Sequence, residues 1–410
     1  MDGIIMEWGG MLLRWMHIIT GIAWIGSSFY FMHIDAAMRA TPDIPKEKGG
    51  EAWEVHGGGF YHVRKYLVAP EKLPDELIWH KWESYSTWVS GFFLLVWVYY
   101  VSADVYLIDP AVRQISPWLA ATYGIGGLVL GWIVYDQLCR SAIAKSDLAL
   151  AAVGFAFIIL MAFLYQQVFS ARGAFIHTGA LMATMMTGNV ALVIIPNQYK
   201  VIDSLIKGEK PDPALGKTGK QRSTHNNYLT LPVLFLMISG HYPLSYSSPH
   251  AYVVIGLVLV AGAVVRHFYN ERHAGRGNHW WAWLVAALAM WTAIWISMPQ
   301  TSAGRETLGL SEMKPDTPVA GLPKAPEKIA DIVSSRCAMC HAQQPVWPGI
   351  SIAPKGIRLD HPEFVERYRE EIRMFAGMTR AMPPNNLTGM TDEERALIRA
   401  WGRTRAAQSD

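Results

Sequence analysis

The sequence predicts an all-α chain: an eight-helix transmembrane bundle followed by a small helical C-terminal domain. Three observations carry that expectation. Eight apolar stretches precede residue 299, the composition changes after Met298, and a Cys-x-x-Cys-His motif at 337–341 follows the change. Hydrophobic residues make up 51% of the chain and charged residues 17%, which is more apolar than an average soluble protein.

The stretches cover roughly 11–33, 79–103, 117–136, 147–169, 172–195, 227–246, 249–268 and 279–298. Each holds about twenty residues, enough to cross a hydrocarbon core of ~30 Å as a helix. Trp79, Trp82, Tyr99, Tyr100, Trp280 and Trp281 lie near their ends, where amphipathic rings favour the interface. Most stretches lack the polar face of a soluble surface helix. Loops on one side carry seventeen Lys and Arg, including Lys46, Lys65, Lys145, Lys200, Lys217 and Arg276; the other side carries only Arg113 and Arg172. The positive-inside rule then turns both termini outward. No cleavable signal peptide is expected, because the start lacks a basic region and its first apolar run is long enough to span.

Residues 1–298 therefore read as the membrane domain. Residues 299–326, rich in Pro, Gly, Thr and Lys, read as a linker. Residues 327–410 read as a soluble domain outside the cytoplasm. Within it, Glu327 to Arg336 is expected to form a helix, His361 to Phe375 a charged amphipathic one, and Thr391 to N-cap a last helix, with Glu394 completing a capping box.

Cys337-Ala338-Met339-Cys340-His341 has the spacing of c-type haem attachment. Two thiols one helical turn apart can add to the two vinyl groups of haem, and the following histidine is delivered to one face of the iron. Zinc would need a second ligand pair, and the C-terminal region offers only His361. A disulfide would leave His341 without a purpose. The order of helices, with Ala381-Met382-Pro383-Pro384 before the last, resembles a single-haem class I cytochrome c domain. That resemblance implies Met382 as the second axial ligand, raising the haem potential. Met374, Met378 and Met390 are competing sulfurs whose simpler role is packing.

Ionisable groups inside spans are costly and mark candidate sites. His17, His177 and His241 are expected one to two turns from the outer surface, with Arg14 on the same helical face as His17. Such a cluster could hold a haem b or metal, or supply a proton acceptor and a cation for an organic anion. Each histidine could equally be bonded to a neighbouring helix. His33, His80, His267 and His279 fall near the inner surface, where solvation is the simpler reading. Asp35 and Asp136 are expected to be solvated at cytoplasmic ends, and Gly21, Gly26, Ser27 and Ser28 to permit close helix packing. Gly57-Gly58-Gly59 lacks the Lys-Ser/Thr of a phosphate loop. Cys139 reads as an inert thiol and Met182, Met185 and Met186 as packing. No basic run with interleaved aromatics supports nucleic-acid binding.

Residues Arg14 to Phe31, the eight spans and the fused haem domain together resemble the bacterial membrane-bound urate oxidases that carry their own cytochrome c. The resemblance covers essentially the whole chain. It implies oxidation of urate to 5-hydroxyisourate with water as oxygen source, in the bacterial inner membrane with the haem domain in the periplasm. Electrons would pass through a covalent haem c to a downstream cytochrome or terminal oxidase. Span 1 also looks like smaller haem-linked membrane families, which implies a possible haem b at His17. Arg14 or Arg172 could supply a cation for the urate anion, and one of His17, His177 or His241 a proton acceptor. Rival readings are a respiratory quinol/haem electron-transfer subunit without an organic substrate, and a transporter with an attached redox sensor.

Overall fold

A computed structural model describes the chain except residues 1, 45–48, 67–69, 71–72, 111, 243–244, 247, 249, 298–325, 349, 351–352, 355–356 and 404–410. Apart from Pro326, the expected linker lies outside the described residues. All eight apolar stretches fall on helices. α1 spans Asp2–Ala37; α2 spans Trp82–Leu95 and continues as a π-helix, Val96–Tyr100; the short α3 spans Ala103–Tyr106. Then follow α4 (Pro117–Arg140), α5 (Asp147–Gln166), α6 (Ala171–Gly188), a second π-segment (Asn189–Ile194), α7 (Ile195–Ile206), α8 (Pro213–Ser239), α9 (Ala251–His273) and α10 (Trp281–Ile296). Among the described residues four helices are long and apolar enough to cross a membrane: α4, α5, α9, and α6 with its continuation to Ile206. The expectation of eight such spans is met only in part. α1 carries Arg14, His17 and Asp35, α8 opens with the polar run to Asn227, and α10 has 16 residues.

Helix α6 lies at the centre, packed on α2, α4, α5, α8 and α9. Its inward residues explain why: Ala174, Phe175, Leu181, Met182 and Met185 are essentially without solvent contact and join one large apolar core. The side chains of Ser116, Ser146 and Ser170 accept hydrogen bonds from backbone amides at the starts of α4, α5 and α6. Each helix therefore begins where its apolar run does.

The all-α expectation missed a hairpin. Strands β1 (Gly49–His56) and β2 (Gly59–Tyr66) pair antiparallel from Gly49↔Tyr66 to His56↔Gly59. Gly57 and Gly58 turn between them with φ of 58° and 82°, a two-residue turn only glycine adopts freely. That is the role of the triple glycine.

The C-terminal domain has its own core, built on Ile329, Val333, Leu359, Val365, Ile372, Ile398 and Trp401. Glu327–Arg336 forms α11, as expected. The amphipathic segment is interrupted: α12 (Pro362–Arg367) and α13 (Arg369–Ile372) meet at Tyr368, whose ψ of 24° leaves the helix, and a π-turn at Arg373–Met378 follows. The last helix, α14 (Asp392–Arg403), starts in the expected capping box. The Glu394 amide donates to Thr391 Oγ1 at 3.2 Å, and the Thr391 amide donates to Glu394 Oε2 at 2.8 Å.

Candidate functional site

α11 ends at Arg336, and the turn after it presents Cys337, Cys340 and His341. The amides of Cys340 and His341 both donate to the Cys337 carbonyl, at 3.2 and 2.9 Å. Both thiols are free. His341 Nδ1 donates to the Ile357 carbonyl at 3.0 Å, which fixes the tautomer and leaves Nε2 as a ligand atom. Met382 lies on the same apolar core as Cys337 and Ile357. Arg395, itself buried, pins the methionine loop by donating to the carbonyls of Met382 (2.8 Å) and Ala376 (2.7 Å) and to Asn386 Oδ1 (3.0 Å). Of the competing sulfurs, Met390 is buried in the core and Met374 is largely exposed. Burial pushes the Cys337 thiol up to about 12 and holds the His341 imidazole below its ordinary value, so both stay neutral. Two free thiols and a neutral imidazole with Nε2 available in one turn, with a thioether on the same apolar core as Cys337, fit the donor set of a c-type haem.

The outer histidines do not form one cluster. His177, with 0% exposure, is enclosed by Tyr99, Tyr100, Tyr165 and Phe169. Its Nδ1 donates to the Gly173 carbonyl at 2.8 Å, so Nε2 accepts from the Tyr100 hydroxyl at 3.1 Å. Gly124 is required opposite: a Cβ there would lie 2.7 Å from Nε2. Arg172 belongs to the same group. Its guanidinium sits over the rings of Tyr106 and Tyr99, 5.0 and 5.8 Å from their centroids. Its buried Nε has no hydrogen-bond partner, and among the described residues no carboxylate pairs with it. His17 sits apart, between α1 and α2, where Nδ1 donates to the Thr87 carbonyl at 3.0 Å and meets Ser90 Oγ at 3.2 Å. Nε2 of His17 is thereby left as an acceptor, suited to ligation, whereas Nε2 of His177 is engaged. Arg14 and His241 are both exposed. Of the histidines expected near the inner surface, His33 packs edge-on against His273 and His267 is tilted against His279.

A second polar centre was not anticipated. Asp136, expected to be solvated, is buried because Arg222 from α8 reaches it at 2.7 Å, with Arg140 also at 2.7 Å. Arg222 is 1% exposed and donates to Asn189 Oδ1 at 3.1 Å. Asn189 Nδ2 in turn donates to the Tyr135 hydroxyl (2.9 Å) and Asn226 Oδ1 (2.8 Å), and Tyr135 bonds His225 Nδ1 at 2.8 Å. The signal available in sequence is the polar set Asp136, Asn189, Asn226 and Asn227 within or beside apolar runs. Beside this centre lies a cavity of about 370 Å³ between α1, the second π-segment and α8. Among the described residues no three His, Cys, Asp or Glu side chains gather as a metal site.

Residues 3–297 match the family described as Urate oxidase N-terminal. No curated protein and no solved structure matches the chain.

Proposed function

The chain belongs to the urate oxidase N-terminal family, and on that premise we propose that it oxidises urate and delivers the electrons to a covalent haem in its C-terminal domain. The reaction adds the oxygen of one water at C5 of urate, giving 5-hydroxyisourate, and releases two electrons and two protons. A haem bound between His341 and Met382 would accept electrons one at a time at a raised potential. Cys337 and Cys340 would hold it covalently. His177 is the proton-relay group best supported among the sequence candidates, because its buried Nε2 accepts from the Tyr100 hydroxyl and can take that proton as Tyr100 receives another. Arg172 supplies the uncompensated cation near it. His17, whose Nε2 is left as an acceptor, is the residue that would ligate a haem b if the membrane domain holds one.

The observation that carries the proposal is the pairing of this family domain with the Cys337, Cys340, His341 and Met382 donor set in one chain. The test is anaerobic addition of urate to oxidised membranes containing the protein. Rapid reduction of the c-type haem band, absent with xanthine, is expected. Reduction by quinol with none by urate would replace this reading with a respiratory relay. His177→Ala is expected to slow urate-driven reduction at least tenfold while leaving reduction by ascorbate unchanged.

A further inference from the structure

The cavity in the basic half of the bundle is built from one face of α1. Trp24, Ser27, Ser28 and Phe31, at i, i+3, i+4 and i+7, line it together with Met186, Asn226 and Thr230 from across the bundle. The sequence reading gave Ser27 and Ser28 to helix packing, yet both line open space. At about 370 Å³ the cavity is within the range of small-molecule sites.

Its walls suit a flat ring with polar edges. Trp24 and Phe31 offer aromatic faces. Asn226 uses one lone pair to accept from Asn189 and one amide hydrogen to donate to the Met186 carbonyl at 2.9 Å. One hydrogen and one lone pair of its carboxamide are thus left over. That couple matches the alternating N–H and C=O edge of an oxidised purine. Behind Asn226, Arg222 and Arg140 share the carboxylate of Asp136, and Asp35, which itself lines the cavity, is paired with Lys65. Arg222 Nε is buried with no partner. The helix that carries Asn189 widens into a π-segment here, a distortion common where a helix presents functional groups.

We infer that this cavity binds the substrate's planar ring: an anionic oxopurine stacked on Trp24, hydrogen-bonded to Asn226 and entering from the basic face of the bundle. The inference rests on the urate reading and adds its location, which differs from the outer site expected from the histidines. His177 and Arg172 then belong to the path by which charge leaves toward the haem domain.

The test is equilibrium binding of radiolabelled urate to the full-length, haem-loaded protein, reduced beforehand so that no turnover occurs. Ser28→Leu fills the cavity and is expected to weaken binding at least tenfold, whereas Ser28→Ala keeps wild-type affinity. Trp24→Ala removes the stacking wall and is also expected to weaken binding tenfold. Normal haem bands and ascorbate reduction identify the variants that have folded. Wild-type binding with unchanged affinity in the folded variants overturns the cavity while the urate reading stands. No urate binding to the wild type overturns both. Binding of short-chain ubiquinone that Ser28→Leu abolishes, with urate unaffected, reassigns the cavity and overturns the inference.

Discussion

Single residues set the chemistry at each end of the molecule, and they differ in how visible they are in sequence. Cys337, Cys340 and His341 lie within five residues, so the proposed haem attachment can be read without a fold. Met382 needed the resemblance to class I cytochromes, because 41 positions separate it from His341. The structure adds Arg395, which no motif announces, as the group that fixes the methionine carbonyl. Met382→His is expected to lower the haem midpoint potential, since a second imidazole stabilises ferric iron relative to a thioether. Redox titration of the c-type band checks it, and an unchanged potential would place another ligand on that face. His177 shows the opposite limit. Its residue type marked it, but its partner Tyr100 lies 77 positions away, so its acceptor geometry could only come from packing.

Pairs of elements explain the two places where local reading failed. Asp136 sits at the end of an apolar stretch and reads as solvated until α8 brings Arg222 against it from 86 positions away. Removing one partner of a buried ion pair leaves the other charge unpaired, at a cost of about 3–5 kcal/mol. Asp136→Asn is therefore expected to lower the thermal unfolding temperature of the detergent-solubilised protein, and Asp136→Asn with Arg222→Leu to restore most of it. The hairpin was missed because its strands face largely outward and lack the alternation of a half-buried sheet; its glycines were the available signal. The last helix was legible because a capping box is a local device. Its Glu394 also accepts from Arg336 at 3.0 Å, tying α14 to α11. Burial opposes ionisation of Glu394, but Arg336 and the Thr391 amide outweigh it and hold the carboxyl below its ordinary 4.5. A depressed folded-state pKa stabilises above the unfolded value, and that stability is lost as pH falls through the lower folded value. Unfolding followed at the haem band is expected to show a loss of stability on going from pH 7 to below 4.5 that Arg336→Gln reduces.

At the scale of the whole molecule, the helices of the bundle were legible because each apolar run has the length and composition of one. Their arrangement was not, because α6 became central through contacts with five other helices, α2, α4, α5, α8 and α9. The relation between the two domains was equally hidden, and it bears directly on electron transfer. Asn385, three residues after Met382, donates through Nδ2 to the Val105 carbonyl at 3.1 Å. Its φ of 50° is a left-handed conformation that asparagine tolerates well. Val105 lies in α3, whose next residue, Tyr106, stacks on Arg172, and the Tyr106 and Leu107 carbonyls accept from Ser170 at the start of α6. The loop carrying Met382 therefore touches the segment that caps the Arg172 and His177 group. If this contact is the resting arrangement, cysteines at 105 and 385 will form a disulfide in oxidised membranes without substrate, and a Val105→Cys/Thr379→Cys pair will form less. The cross-linked protein is then expected to keep urate-driven haem reduction, because the docked position is the one in which the methionine edge faces the bundle. Loss of reduction on cross-linking, with ascorbate reduction intact, would mean that the domain must leave this position to accept electrons.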